Sequence, residues 1–160
     1  MSKYVNGYKY RGAGALVLLH ERYMREFVAV WRIAKVNAIV LPQTDDESYQ
    51  SLETLLLHPL RSAKSYMDWI CEKLELEDPG INEAPELKVV ESEADTFVEH
   101  LLERWRLPLV HVEAKRFGEV YTTKWGMPLP IEAMLEHAVM HPIRHTFQLN
   151  NLIAESERGD

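Results

Sequence analysis

Three histidines recur at four-residue steps in the last quarter of the chain: His137, His141 and His145. On an α-helix this spacing turns successive side chains by only about 40° and places their Cβ atoms about 5–6 Å apart. Two neutral imidazoles at this spacing can hold one transition-metal ion from the same face of a helix. The spacing therefore favours a metal site, and the alternative is that these histidines are solvated or hydrogen-bonded within the core.

The apolar side of the same stretch indicates which pair would bind the ion. Leu135 and Leu149 mark the side that a helix here would bury. His141 and His145 lie nearer to that side than His137 does. We therefore expect His141 and His145 to be the ligands and His137 to lie outside the coordination sphere.

A third ligand should come from another helix, because an ion held by only two protein groups binds weakly. His58 is the first candidate, since residues 58–61 read His-Pro-Leu-Arg and residues 141–144 read His-Pro-Ile-Arg. A proline inside a helix frees one backbone carbonyl, which can accept the second imidazole N–H. On an ideal helix, however, His58 points away from its apolar stripe, whereas His20 lies inside its own. Both histidines are candidates on this reasoning.

The composition excludes several other kinds of site. Cys71 is the only cysteine, which rules out an intramolecular disulfide and any zinc site built on two or more thiolates. The 160 residues carry 18 basic and 25 acidic side chains, a formal net charge of −7, and this acidity argues against a nucleic-acid partner. No histidine has the Glu-x-x-His spacing of di-iron carboxylate bundles. The chain has no export signal and no membrane-spanning run, so we expect a cytoplasmic protein.

Four stretches with a helical period should position these residues. The periodicity and the break signals predict helices at about 12–36, 46–76, 92–107 and 129–156. The pattern predicts an all-α protein with a single four-helix-bundle domain spanning residues 1–160.

Local signals predict where these helices begin and what joins the last two. Thr44, Asp45 and Asp46 should supply the cap and early acid of the second helix, Ser92 with Asp95 should form a capping box for the third, and Pro130 should begin the fourth. In the long connection at 109–128, apolar and polar residues alternate weakly, which predicts short extended pieces at two places in the chain. These pieces would include Val110, Val112, Val120 and Tyr121.

Two motifs in this arrangement resemble a known family. Residues 137–149 read H-x3-H-x3-H-x2-Q-L, which is similar to the final-helix signature of the DinB-like proteins. Residues 57–70 read L-H-x3-S-A-x2-Y-x2-W-I, which resembles their second-helix motif. The order and spacing of the helices fit as well, so the resemblance covers nearly the whole chain. Thr146 and Phe147 stand where the family commonly has Arg-Gly.

The resemblance implies a homodimeric four-helix bundle with a divalent metal ion, usually nickel or zinc. One histidine of the second helix and two of the fourth hold the ion in that family. Carried over by position, the implied ligands are His58, His141 and His145. The resemblance also implies a hydrolase or a thiol S-transferase, in which the metal activates water or a low-molecular-weight thiol. The alternative is a non-enzymatic metal-binding or stress-response bundle.

Further residues have a functional and a plainer interpretation. Arg61 and Arg144 are candidates to meet an anionic substrate, and Glu53 and Glu136 to support the metal ligands, although a solvated surface role is simpler for all four. Cys71 has no activating neighbour in sequence and fits a small core residue. If a thiol takes part, it must therefore arrive with the substrate.

The tyrosines near the N-terminus also have two interpretations. Tyr4, Tyr8 and Tyr10 are candidates for a dimer contact. The alternative is that they belong to an N-terminal arm packed on the bundle.

Overall fold

The apolar side chains that recur at three- and four-residue steps form four α-helices in the described part of this computed structural model, residues 7–159. The helices are α1 (Arg11–Val36), α2 (Leu52–Lys73), α3 (Val90–Trp105) and α4 (Ile131–Arg158). They confirm the prediction of an all-α, four-helix arrangement. Within residues 7–159, no helix is both long and apolar enough to cross a membrane.

One hydrophobic core lies between the four helices. α1 packs chiefly against α4, while α2 contacts both α3 and α4. Trp31 of α1 donates a hydrogen bond from Nε1 to the carbonyl of Leu52 at 2.5 Å. Trp105 of α3 donates one to the carbonyl of Ala63, in α2, at 3.1 Å. Each indole thus buries a large apolar ring while its N–H keeps a partner.

The second helix begins later than predicted. α2 starts at Leu52, because Ser51 forms a capping box with Thr54 in which each side chain accepts the other residue's backbone N–H. Asp46, one of the predicted cap residues, instead caps a separate 3₁₀-helix, Glu47–Tyr49. The predicted start at residue 46 was wrong because both Asp46 and Ser51 can cap a helix. The capping box that Ser51 forms with Thr54 begins α2 five residues later than Asp46 would.

The third helix has no capping box at Ser92. α3 begins at Val90, directly after a short 3₁₀-helix, Leu87–Val89. The Ser92 hydroxyl lies inside the first turn, where it donates to the carbonyl of Val89 at 3.0 Å. The predicted cap was therefore wrong, because a serine within the first turn can also hydrogen-bond back along the chain.

The connection between α3 and α4 contains a 3₁₀-helix, Ala114–Gly118, and a small hairpin. In the hairpin, β1 (Val120–Thr122) pairs antiparallel with β2 (Pro128–Pro130). The predicted extended piece at residues 120–121 is confirmed. Val110 and Val112 lie in turns and irregular chain, so the extended piece predicted there was wrong. Pro130 directly precedes the first residue of α4.

The described tyrosines of the N-terminal segment pack on their own bundle. Tyr8 is buried, and its hydroxyl donates to the carbonyl of Arg106 at 2.7 Å. The Tyr10 hydroxyl donates to Glu132 at 2.5 Å. These contacts correspond to the packed-arm interpretation. Tyr4 lies outside the described residues, and the homodimer stays a prediction.

Candidate metal centre

Two helices bring three imidazole rings together. His58 comes from α2, whereas His141 and His145 lie one turn apart on α4. The Nε2 atom of His141 is 2.9 Å from Nε2 of His58 and 3.1 Å from Nε2 of His145. One ligand atom from each ring lies within 4.8 Å of the other two, so this group could hold a metal ion.

The position of His58 differs from that expected on an ideal helical wheel. Apart from His58 itself, every residue of α2 from Leu55 to Leu60 is buried. This broad burial arises because α2 packs against α3 on one side and α4 on another. A single apolar stripe therefore does not describe this part of α2, and His58 lies at the edge of the buried surface, where it reaches His141.

Burial keeps the three imidazoles neutral. It is the main cause that lowers the pKa of His141 to about 2 and that of His145 to about 4. Burial also lowers the pKa of His58. At neutral pH each ring therefore has a nitrogen lone pair available, which is the form that binds a metal ion.

The crowding around Nε2 of His141 is the clearest sign of a cation site. As a donor this atom has one proton for two neighbouring nitrogens, and as an acceptor it has one lone pair for both. Hydrogen bonds alone therefore leave the three rings poorly satisfied. A cation that accepts all three lone pairs satisfies them together.

The spacing of the rings fits such an ion. Zinc binds imidazole nitrogen at about 2.0–2.1 Å, so two nitrogens on one tetrahedral ion lie about 3.3 Å apart. The two separations from His141, 2.9 and 3.1 Å, need to widen by only a few tenths of an ångström, and the ligand atoms of His58 and His145 lie within 4.8 Å of each other. Neutral imidazoles suit zinc, nickel, copper and iron, which leaves the identity of the metal open.

Gln148 and Tyr49 orient the ring of His145. The Nδ1 atom of His145 is 3.0 Å from Oε1 of Gln148, and the Tyr49 hydroxyl lies 3.0 Å from the same Nδ1 and donates to the same Oε1. An amide oxygen only accepts, so Nδ1 carries the proton and Nε2 keeps the lone pair that faces the other two rings.

These two orienting residues were not assigned a role from the sequence. Gln148 had a signal, since it follows His145 by three residues and so lies on the same helix face. Tyr49 had none, because its contact depends on how the 3₁₀-helix before α2 folds onto α4. The prediction that a carbonyl freed by the helix proline accepts the second imidazole N–H was wrong. Within residues 7–159, neither His58 nor His141 donates Nδ1–H to a carbonyl.

Two other candidate histidines lie apart from this group. The ring of His137 lies beside Tyr66 and Trp125, with centroid distances of 5.2 and 5.7 Å, and its own centroid is 6.5 Å from that of His141. His20 is buried, and its ring stacks on Trp105 at 3.7 Å. In the part of the chain that the structure describes, His20 does not join the three-histidine group.

The proposed supporting carboxylates are also elsewhere. Glu53 forms an ion pair with Lys35 of α1, and Glu136 is exposed. Neither has a hydrogen bond to a histidine among the described residues. Cys71 is buried, and burial raises the pKa of its thiol to about 12. It therefore stays protonated near neutral pH, as a core residue would.

An open cleft of about 690 Å³ leads to one edge of the site. Its walls come from α2, from the segment before it and from Leu87 in the 3₁₀-helix before α3, and they include Ser48, Thr54, His58 and Arg61. The cleft gives a small molecule access to the His58 side of the group.

The chain matches no protein-family model, and no curated protein or solved structure matches it. The motifs around His58 and His145 are therefore the basis for comparing this chain with the DinB-like proteins. The structure itself shows four helices and three adjoining imidazoles that could hold a metal ion.

Proposed function

We propose that this protein is a DinB-like metalloenzyme that binds one divalent ion, nickel or zinc, through His58, His141 and His145. The observation that carries this proposal is the meeting of three Nε2 atoms from two helices, at 2.9 and 3.1 Å, in a buried setting. Such an arrangement leaves imidazole lone pairs unsatisfied unless a cation joins them. The motif resemblance supports the same three ligands.

The reaction that we propose is hydrolysis or thiol S-transfer. A divalent ion with three neutral ligands and an open position lowers the pKa of coordinated water toward about 7, and it deprotonates a coordinated thiol. The chain's own part is to hold the three imidazoles neutral by burial, to fix the His145 tautomer through Gln148, and to admit the substrate through the cleft beside His58. Cys71 supplies no thiol, so a thiol in this reaction is a second small-molecule substrate.

The metal site is tested by metal analysis of the purified protein. We expect about one first-row ion per chain in the wild type and none in the His141→Ala/His145→Ala double variant. His137→Ala is the matched control, since it removes an imidazole one turn earlier on the same helix and should keep the ion. A wild-type protein that binds no ion, and whose unfolding is indifferent to chelator and to added zinc or nickel, would overturn the proposal.

The enzymatic role needs a separate test. The metal-loaded wild type and His58→Ala should be screened with ester substrates, and with thiols plus an electrophilic acceptor. We expect turnover by the wild type that chelator abolishes and that His58→Ala lacks. Bound metal together with equal, background-level rates in both proteins would support the non-enzymatic metal-binding bundle instead.

A further inference from the structure

Two arginines follow two of the three histidines at the same spacing. Arg61 comes three residues after His58 on α2, and Arg144 comes three residues after His141 on α4. Side chains three residues apart lie on the same face of a helix. The two facing helices thus each add a guanidinium next to the imidazole that they contribute.

Neither arginine is paired with a carboxylate within the described residues 7–159. Arg61 and Arg144 have no ion pair and no hydrogen bond there. By contrast, Arg25 and Arg32 on the outer side of α1 are paired with carboxylates of α3. In a chain with 25 acidic and 18 basic side chains, these two cations are left available beside the histidine group.

Arg144 lies at the solvent edge of the histidine group. It directly precedes His145 on α4, and its side chain is exposed, whereas His141 and His145 are buried. Its guanidinium is therefore placed on the solvent side of α4, next to two of the three imidazoles.

Carboxylates also lie near the arginines. Glu47 of the 3₁₀-helix lines the cleft together with Arg61 and His58, and Asp68 and Glu83 line a second hollow together with Arg61. The Asp46 carboxylate accepts hydrogen bonds from the Ser48 amide and hydroxyl. Within residues 7–159, none of these carboxylates forms an ion pair with either arginine.

We propose that the ligand of this site is a small molecule with an anionic group, a carboxylate or a phosphate, which Arg144 binds and Arg61 supports from the cleft. This inference rests on the proposed metal site. Three neutral imidazoles add no negative charge, so a divalent ion there would keep its full positive charge, with two guanidinium groups that form no ion pair close by. A guanidinium also matches the two oxygens of a carboxylate or phosphate in geometry.

The test uses the protein loaded with cobalt(II), a coloured substitute for zinc, and three thiols of matched length but different charge. These are mercaptopropionate, mercaptopropanol and aminopropanethiol, and the sulfur-to-cobalt charge-transfer absorption measures how tightly each one binds. In the wild type, we expect raised salt to weaken the binding of the anionic thiol and to leave the binding of the neutral thiol nearly unchanged.

Variants then identify the groups that recognise the charge. We expect Arg144→Gln to lower the affinity for mercaptopropionate roughly five- to tenfold, and Arg61→Gln to lower it by less. Mercaptopropanol should change less than twofold, and aminopropanethiol should bind more tightly. Comparing each thiol with itself in wild type and variant removes the effect of its own acidity.

A matched control separates local recognition from net charge. Arg11→Gln removes the same charge at the exposed first residue of α1, beside Tyr10, which contacts Glu132 near the start of α4. That point is about 20 Å along α4 from His145, and we expect no change for any thiol. If cobalt binds but Arg144→Gln alters the three thiols equally, the inference is wrong. If cobalt does not bind at all, the metal site fails, and the inference fails with it.

Discussion

His141 and His145 of the three-histidine group are about as buried as the lone imidazole of His20, but different groups face their rings. His20 is 0% exposed, and His141 and His145 are 4% and 3% exposed. The edges of the α4 rings meet other imidazoles, whereas the His20 ring lies flat on Trp105 at 3.7 Å and 10°. Within the described residues, neither nitrogen of His20 has a hydrogen-bond partner. A buried histidine thus becomes a metal-site candidate only when other ligand atoms converge on its lone pair; otherwise it packs as an aromatic ring.

The largest effect that separates the two regions should be the response to metal. Zinc or nickel at a thousandfold excess over its Kd should raise the free energy of unfolding of the wild type by about 4 kcal/mol, since only the folded state holds the site. Chemical denaturation with and without metal measures this. His141→Ala should show almost none of the gain, and His20→Leu should show all of it. If added metal no longer stabilised the His20→Leu protein, His20 would matter to metal binding as the three-histidine group does, and the distinction between the two regions would fail.

The orienting contact of His145 should have the next largest effect. Gln148→Leu removes the acceptor that fixes the ring, so metal affinity should fall roughly ten- to hundredfold. Competition with a coloured chelator gives the affinity. Asn150→Leu is the matched control, because it replaces an exposed amide on the same helix and should leave the affinity unchanged. An equal loss in both variants would contradict a specific role for Gln148.

Acid should reveal the buried His20 in the metal-free protein. Burial lowers the pKa of His20 to about 3, below the value of about 6.5 in an unfolded chain. Between these values the unfolded state binds the extra proton, so the stability present above pH 6.5 is lost as the pH falls toward 3. The buried His20 should therefore lower the free energy of unfolding by about 2 kcal/mol between pH 7 and pH 5.

Urea unfolding of wild type and His20→Leu at both pH values isolates this contribution. The stability difference between the two proteins should shift by that amount in favour of His20→Leu at pH 5. Parallel pH dependences in the two proteins would contradict this, because they would mean that His20 takes up a proton as readily in the folded state as in the unfolded state. His141 and His145 have lowered pKa values for the same reason and should add the same sign of dependence in both proteins.

The smallest effect should be that of His20→Leu at pH 7. Leucine is close to histidine in volume, and the change removes two buried nitrogens that have no partner in residues 7–159. The loss of stacking on Trp105 opposes this gain, so we expect the free energy of unfolding to change by less than about 1 kcal/mol. Urea unfolding at pH 7 measures it. A loss of several kcal/mol would mean that His20 makes a polar interaction essential to the fold.

The fold was largely predictable, because helical periodicity is a local property. The apolar steps located all four described helices, and the weak alternation at residues 120–121 located β1. The helix starts were less predictable, since Asp46 and Ser51 are both good cap residues. The reciprocal bonds between Ser51 and Thr54 decided which one begins α2.

The candidate site was predictable only in part. The spacing of His141 and His145 is visible in the sequence, because it depends on the geometry of one helix. The third member was not, since His58 and His20 were both open candidates on residue reasoning. Tyr49 was missed because it reaches His145 across 96 positions of sequence.

The sequence by itself determined the four amphipathic stretches, the histidine pair on one helix face and the exclusion of metal sites built on two or more thiolates. Only the tertiary structure decided that His58 meets the pair while His20 stacks on Trp105, that Tyr49 and Gln148 orient His145, and that Arg61 lines the cleft beside His58. The physical reason is the range of the forces involved. Helical periodicity follows from backbone geometry within a few residues, whereas the choice of partner for a buried ring follows from the packing of helices far apart in the chain.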